Sequence, residues 1–150
     1  MLNCSTQPVF SNFASMEELR AAVIERAYKI FDEYTRKEAE SGRYPEYKAT
    51  GMAYIRFAKE EKALFALLFM RRREEEIESE ADRFKHSVEM VGGAVGLNEE
   101  KASLFHLEMW IFVHGIATML ATGYLDLGYD SVSEMISDCY QGLRTRFEGE

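Results

Sequence analysis

The apolar positions in the first third of the chain follow the period of an α-helix. From Met16 to Ser41 they recur every three or four residues, and charged residues fall largely between them. This spacing gives a helix one apolar face and one solvated face. Ser15-Met16-Glu17-Glu18 has the S-x-x-E form of a capping box, which satisfies the first amides of a helix. The pattern predicts a helix from about Met16 to about Ser41-Gly42.

Shorter helices are predicted in the middle of the chain. Pro45 suits the first turn of a helix, and an aromatic-rich apolar surface follows it. The polar run 59–62 predicts a turn, and the apolar run 63–70 predicts a short helix that is buried on most sides. The charged run 71–80 is typical of a solvated helix face. Gly92-Gly93, followed by Gly96, predicts a break between helices.

The last third of the chain carries two further helix signals. Asn98 is a predicted N-cap, followed by Glu99 and Glu100, for a long helix that ends near Thr122-Gly123. Residues 131–134 repeat the capping-box pattern and predict a last helix toward Arg146. No segment shows the sustained two-residue alternation of a strand. The sequence therefore predicts an all-α bundle of about five helices with no linker that divides it.

Composition and charge narrow the class of protein. With 150 residues, 47% of them hydrophobic, the chain can bury one sizeable core, and its net charge of −8 argues against a surface that tracks nucleic acid throughout. Cys4 and Cys139 are too few for a disulfide scaffold, and no secretory leader precedes them, so a reducing cytoplasm is expected. The longest apolar run, 109–121, is shorter than the ~20 residues of a membrane span. We expect a buried helix and no membrane partner.

Catalytic and metal-dependent functions find little support in the sequence. Glu78, Asp82 and His86 follow one another at four-residue steps and could present ligands to a metal. Surface charge is the better interpretation, because nothing supplies a second ligand pair. No phosphate loop, paired-cysteine spacing or nucleophile motif occurs. We expect no catalytic residue, no metal and no cofactor, and an enzyme is disfavoured.

The segment Trp110-Ile111-Phe112-Val113-His114-Gly115 lies in the most hydrophobic predicted helix. Trp110, His114 and Thr118 follow at four-residue steps and should share one helix face. His114 has two interpretations of equal weight, a hydrogen-bonded core histidine and a residue that contacts a ligand. Mid-helix Gly115 favours close approach of another backbone or a bulky group.

Three segments together resemble the TetR family of one-component transcriptional regulators. Residues 4–13 with 15–19 look like that family's recognition helix and connecting helix. Residues 54–60, together with 63–65 and 68–69, are similar to the middle helices of its effector domain. Residues 110–117 look like a tryptophan, histidine and glycine signature found in many of those domains. The three occur in the family's order, over roughly residues 4 to 145.

The resemblance implies a TetR-like C-terminal helical bundle that follows a DNA-binding helix-turn-helix motif. Residues 1–14 would be a remnant of the recognition helix, and 15–150 the effector-binding and dimerisation domain. Family members have two further helices ahead of the recognition helix, so this chain alone is expected to bind operator DNA poorly. Phe10 and Met16 also replace a tyrosine and a lysine that can contact phosphate in the family. In a complete motif the residues positioned to meet DNA would be Ser5, Thr6, Gln7, Ser11 and Asn12.

The function implied is a ligand-responsive regulator, and a repressor in particular, that works as a homodimer. The small, partly apolar effector is expected in a pocket lined by Tyr54, Phe57, Phe65, Trp110, His114 and Thr118. The dimer interface is expected on the last two helices, at Leu120, Leu125, Val132, Met135, Ile136 and Tyr140. The alternative is a stand-alone helical ligand-binding or dimerisation module that never contacts DNA.

Overall fold

The structure, a computed structural model, describes residues 12–70 and 78–149, with the backbone alone at 78–80. The described residues form six helices and no strand, which confirms the all-α prediction. The helices are α1 Met16–Glu40, α2 Glu46–Glu60, α3 Lys62–Phe69, α4 Glu78–Val95, α5 Glu99–Thr122 and α6 Tyr129–Glu148.

Local capping sets the beginnings of α1 and α5 where the sequence predicts them. The Ser15 side chain accepts a hydrogen bond from the Glu18 amide at 3.1 Å, and the Glu18 carboxylate accepts one from the Ala14 amide. At the start of α5, Asn98 Oδ1 accepts from the Lys101 amide at 2.9 Å. These bonds satisfy amides that have no partner inside the helix.

The central helix of the bundle is α2, which contacts each of the other five. Seven of its fifteen residues are buried: Ala49, Met52, Ala53, Tyr54, Ile55, Phe57 and Ala58. Its most extensive contacts are with α1 and α5. The core is therefore a set of apolar side chains from every helix arranged around α2.

The break predicted over Gly92-Gly93 and Gly96 occurs at Gly96, whereas Gly92 and Gly93 remain helical. Helix α4 continues to Val95 and ends at Gly96, which has a φ of +75°. The Leu97 amide donates to the Gly92 carbonyl at 3.0 Å, the bond of a Schellman motif that lets the chain reverse. A Cβ on Gly92 would lie 3.3 Å from the Ala102 Cβ, so this glycine permits α4 and α5 to approach closely.

Helix α6 begins three residues earlier than the capping-box pattern at Ser131 predicts. It starts at Tyr129, and its N-cap, Gly128, offers no side-chain bond. Contacts from α2 hold this start instead. Lys59 Nζ donates to Asp126 Oδ1 at 2.8 Å and to the Leu127 carbonyl at 2.7 Å. Tertiary contacts therefore outweigh the local cap signal at this position.

Helix α5 includes the apolar run 109–121 and, as predicted, extends from just after Asn98 to Thr122. Its 24 residues include an 18-residue window of mean hydropathy 1.4, so by length and composition it could cross a membrane. The buried core helix of a soluble protein meets the same criteria, and α5 packs against α2, α4 and α6. In its middle, Met109, Val113 and Ile116 are buried in the core.

Candidate ligand-binding cavity

A cavity of about 1260 Å³ lies inside the bundle, and side chains from all six helices line it. Its volume is sufficient for a drug-sized molecule. Nine aromatic or imidazole rings line it: Phe31, Tyr47, Tyr54, Phe69, Phe84, His86, His106, Trp110 and Tyr140. A smaller hollow of about 680 Å³ between α4 and α5 is lined by charged, small and aliphatic residues with a single aromatic ring. The larger cavity is therefore the better candidate site.

Two tyrosine–histidine pairs join α2 to α5 along this cavity. Tyr47 Oη lies 2.8 Å from His106 Nδ1, and Tyr54 Oη lies 2.9 Å from His114 Nδ1. The tyrosines are seven residues apart on α2 and the histidines eight apart on α5, about two helical turns in each case. Because the later tyrosine pairs with the later histidine, α2 and α5 run in the same direction. The two hydrogen bonds fix their axial register.

Burial keeps the pair at Tyr47 uncharged in neutral solution. Loss of water lowers the pKa of His106 to about 4, since a buried imidazolium is poorly solvated. Burial also raises the pKa of the Tyr47 hydroxyl, with smaller contributions from Tyr140 and Cys139. The edge of the Phe84 ring packs on His106 with ring centroids 4.7 Å apart. This part of the cavity wall offers polar atoms without a net charge.

Two cationic side chains line the cavity, and their surroundings differ. Arg83 on α4 forms an ion pair of 2.8 Å with Asp32 on α1, and its guanidinium lies over the rings of Tyr28 and Phe31. Lys48 on α2 donates to Ser137 Oγ on α6 at 2.7 Å. Among residues 12–70 and 81–149, no carboxylate forms an ion pair with Lys48. The charge of Arg83 is thus neutralised, whereas that of Lys48 is not.

Of the six residues predicted to line the pocket, Tyr54 and Trp110 do so. His114 is half-buried behind them: it is hydrogen-bonded to Tyr54, and its ring stacks on Trp110 at 5.0 Å with an interplanar angle of 11°. Phe57 and Phe65 are fully buried in the core. These two therefore support the wall from behind and do not face the cavity.

Thr118 does not reach the cavity either, and helix geometry explains why. Each four-residue step turns a side chain about 40° further around an α-helix. Trp110 faces the cavity, so Thr118, two such steps later, is rotated away toward the outer side of α5. Its hydroxyl oxygen is buried and has no hydrogen-bond partner in the described part of the chain.

Comparison with protein families identifies the chain. The family model "Tetracyclin repressor-like, C-terminal domain" matches residues 47–138, which is more than half of the sequence. The chain belongs to this family. Comparisons with curated proteins and with solved structures gave no match. Domains of this family serve effector binding and dimerisation in transcriptional regulators, and its members are not enzymes.

Helix α5 contributes the Trp110–His114 stack of this TetR-like domain, within the matched residues. The stack connects Trp110 in the cavity wall to the hydrogen bond between His114 and Tyr54. The positions of the tryptophan and histidine rings therefore depend on each other. Gly115 follows His114, and a Cβ there would meet no described atom within 4 Å. Nothing within the described chain approaches this glycine closely, in contrast to the expectation from its sequence position.

Several lining residues of the TetR-like cavity were not predicted from the sequence. The most informative are Tyr47, Lys48, His106 and Ser137, which supply polar atoms. His106 precedes Trp110 by four residues, so the spacing that selected His114 could have selected His106 as well. Ser137 carries no comparable signal, because it faces the cavity only after α6 packs beside α2.

The predicted dimer residues fall into three groups. Leu120, Val132 and Ile136 are buried in the core of the TetR-like domain, so their side chains offer little surface to a partner. Tyr140 lines the cavity, as Ile136 also does. Leu125 and Met135 are 39% and 38% exposed, and they remain available for contact.

The DNA-binding residues predicted for a complete motif are largely outside the described residues. Ser5, Thr6, Gln7 and Ser11 precede residue 12, where the description begins. Asn12 is exposed in a turn before Ser15. As for a metal centre, the residues searched contain no group of three or more His, Cys, Asp or Glu side chains that could hold an ion.

Proposed function

We propose that the chain is the effector-binding and dimerisation part of a ligand-responsive transcriptional regulator, acting as a repressor. The observation that supports this most strongly is the aromatic cavity of about 1260 Å³, most of whose lining residues lie in the part of the chain that matches the family. The effector is a small, partly apolar molecule that lies against Tyr54 and Trp110. No chemistry is required of the site, since binding alone carries the signal.

The cavity is suited to couple a ligand to the N-terminal segment. Phe31, Asp32 and Thr35 of α1 line it, and α1 leads back to residues 1–15, where the recognition helix is predicted. A ligand that contacts α1, α4 and α5 together favours the helix arrangement that fits it best. Such a shift requires different affinities for the DNA-bound and DNA-free arrangements.

Dimerisation is proposed to use an apolar surface on the outer side of α5. We define the outer α5 stripe by its exposed residues that do not line the cavity, Leu104, Ile111 and Met119. Gly115 and Thr118 lie on the same face by helical spacing. On α6, Met135 adds further exposed apolar surface. A second copy of the chain is the proposed partner, because the family uses this domain to dimerise.

The test measures DNA binding at two salt concentrations, with and without ligand. A fluorescent duplex carrying the DNA upstream of the protein's own gene is titrated, at low and moderate salt, with a version that carries a complete helix-turn-helix motif, with and without a ligand that quenches Trp110 fluorescence. A ligand-responsive regulator should bind in a salt-sensitive manner and release the duplex when the ligand is added. Ligand binding without any DNA binding would favour the stand-alone module instead. Absence of any quenching ligand in a broad library would count against the effector function.

A further inference from the structure

The unequal surroundings of the two cavity cations indicate what kind of ligand the site accepts. Arg83 is paired with Asp32, so a ligand gains little by approaching it with a negative charge. Lys48 has a hydroxyl partner, Ser137, and the ring of Tyr44, whose centroid lies 4.9 Å from Nζ. A lysine ammonium has three donors, and the Ser137 bond uses one of them. The other two can be offered to a ligand.

The neighbouring acidic residues do not replace a ligand anion at Lys48. Glu46 also lines the cavity, but residues two apart on a helix point to different sides, and no ion pair joins it to Lys48. Asp82 lines the cavity from α4, on the element that carries Arg83. Ser137 donates its own proton to the Ser133 carbonyl at 3.1 Å, so its oxygen is oriented to accept from Lys48. The hydroxyl thus holds the ammonium in place.

We propose that the effector is an amphipathic carboxylic acid whose carboxylate binds Lys48 Nζ and whose apolar body lies against Tyr54, Phe84 and Trp110. This inference rests on the proposed effector function and names the ligand class of that same cavity. The half-buried Lys48 loses part of its hydration, and an anion compensates for that loss better than a neutral oxygen does. The aromatic wall supplies the apolar contact for the rest of the molecule.

The test compares acids with their uncharged amides. Decanoate and 4-phenylbutanoate are each titrated beside the corresponding primary amide, and binding is followed by the fluorescence of Trp110, the only tryptophan of the chain. We expect each acid to bind at least about tenfold more tightly than its amide, as charge-assisted hydrogen bonds are about twice as strong as neutral ones. The Lys48→Met variant should bind acid and amide equally, and Lys48→Arg should keep most of the preference.

The matched control is Lys37→Met, which removes the same charge from an exposed position on α1 outside the cavity. It should leave the preference for acids unchanged. Circular dichroism and thermal unfolding confirm that each variant is folded. Equal affinity of acid and amide for the wild-type chain, or an unchanged preference in Lys48→Met, overturns the carboxylate inference while the effector function stands. Failure of all four compounds to bind counts against both.

Discussion

The hydrogen bond between Tyr47 and His106 places an ionisable ring where its charged form is disfavoured. The imidazole is partly buried against Phe84 and Tyr47, and this loss of water lowers its pKa from 6.5 to about 4. In the unfolded chain the same ring is hydrated and takes up a proton near its ordinary pKa. His106 therefore links the stability of the domain to pH.

Stability should fall between pH 6.5 and pH 4 because of His106. Above pH 6.5 the ring is neutral in both states and the full stability is present. As the pH falls, the unfolded chain binds a proton that the folded chain excludes until about pH 4, so the free energy of unfolding decreases over that window. Urea unfolding at a series of pH values measures this slope.

The variant His106→Asn should reduce the slope, since its amide can still bond to Tyr47 but does not titrate. The control His86→Asn changes an exposed histidine and should keep the wild-type slope. An identical pH dependence in wild type and His106→Asn would show that His106 is not the group responsible.

At the scale of helices, a buried ion pair joins α1 to α2 and, through Arg56, to α6. Arg56 Nε donates to Glu38 Oε2 at 2.7 Å, and the guanidinium lies 4.1 Å from the Tyr129 ring centroid. The Glu38 side chain is only 7% exposed, and its Oε1 has no hydrogen-bond partner among the described residues. Stabilisation of the buried Glu38 charge therefore depends strongly on Arg56.

Arg56→Met should lower the free energy of unfolding by about 3 kcal/mol, because it leaves the buried Glu38 charge without its cation. The double variant Glu38→Met with Arg56→Met should recover most of that loss, since an apolar pair has no charge to solvate. Urea unfolding of the four proteins gives the coupling energy. The control Arg36→Met breaks an exposed pair with Glu40 and should cost about 0.5 kcal/mol or less. Equal effects of Arg56→Met and Arg36→Met would contradict this account.

The adjacent glycines of α4 provide a second test at this scale. A Cβ on Gly93 would meet nothing within 4 Å, whereas one on Gly92 would lie 3.3 Å from the Ala102 Cβ. Gly93→Ala should raise the free energy of unfolding by up to about 1 kcal/mol through helix propensity. Gly92→Ala should show no such gain, because the helices must separate slightly. Chemical unfolding of both variants measures the difference, and equal gains would disprove close packing at Gly92.

Local signals in the sequence predicted the helices well where a side chain itself makes the cap. Ser15, Asn98 and the glycine after Thr122 lie where the pattern put them. The start of α6 was misplaced because Lys59 and Tyr129 fix it through contacts with residues far along the chain. Of the glycines expected at the break between helices, Gly96 lies there, whereas Gly92 serves packing, and a single sequence does not distinguish packing from flexibility.

The candidate site was predicted less completely, for a related reason. Helical spacing selected Trp110, which lines the cavity, but it could not fix which side of α5 faces the cavity, so Thr118 was included and His106 omitted. The apolar character of Phe57 and Phe65 could not separate a core position from a cavity wall. Lys48 and Ser137 meet across 89 residues of sequence, and only the packing of α6 against α2 brings them together.

At the scale of the whole molecule, the outer α5 stripe is an apolar surface that stays exposed to solvent in the single chain. Ile111, near its centre, is 57% exposed, although α5 is otherwise a core helix. Burying such a surface between two copies removes apolar area from water, which is the main driving force of association. No residue of the described ranges would lie within 4 Å of a Cβ on Gly115, which leaves room for the backbone of a partner helix there.

Ile111→Glu should therefore weaken dimerisation by at least about 100-fold, since a two-fold interface would bring two like charges together near its centre. Sedimentation velocity over a range of concentrations measures the dissociation constant. The control Val23→Glu introduces the same charge at a 43% exposed position on α1 and should leave the dimer intact. Circular dichroism and the cavity's response to ligand should be retained in Ile111→Glu, because that side chain neither enters the core nor lines the cavity. A dimer that tolerates Ile111→Glu as well as Val23→Glu would place the interface on another face of the domain and would separate dimerisation from α5.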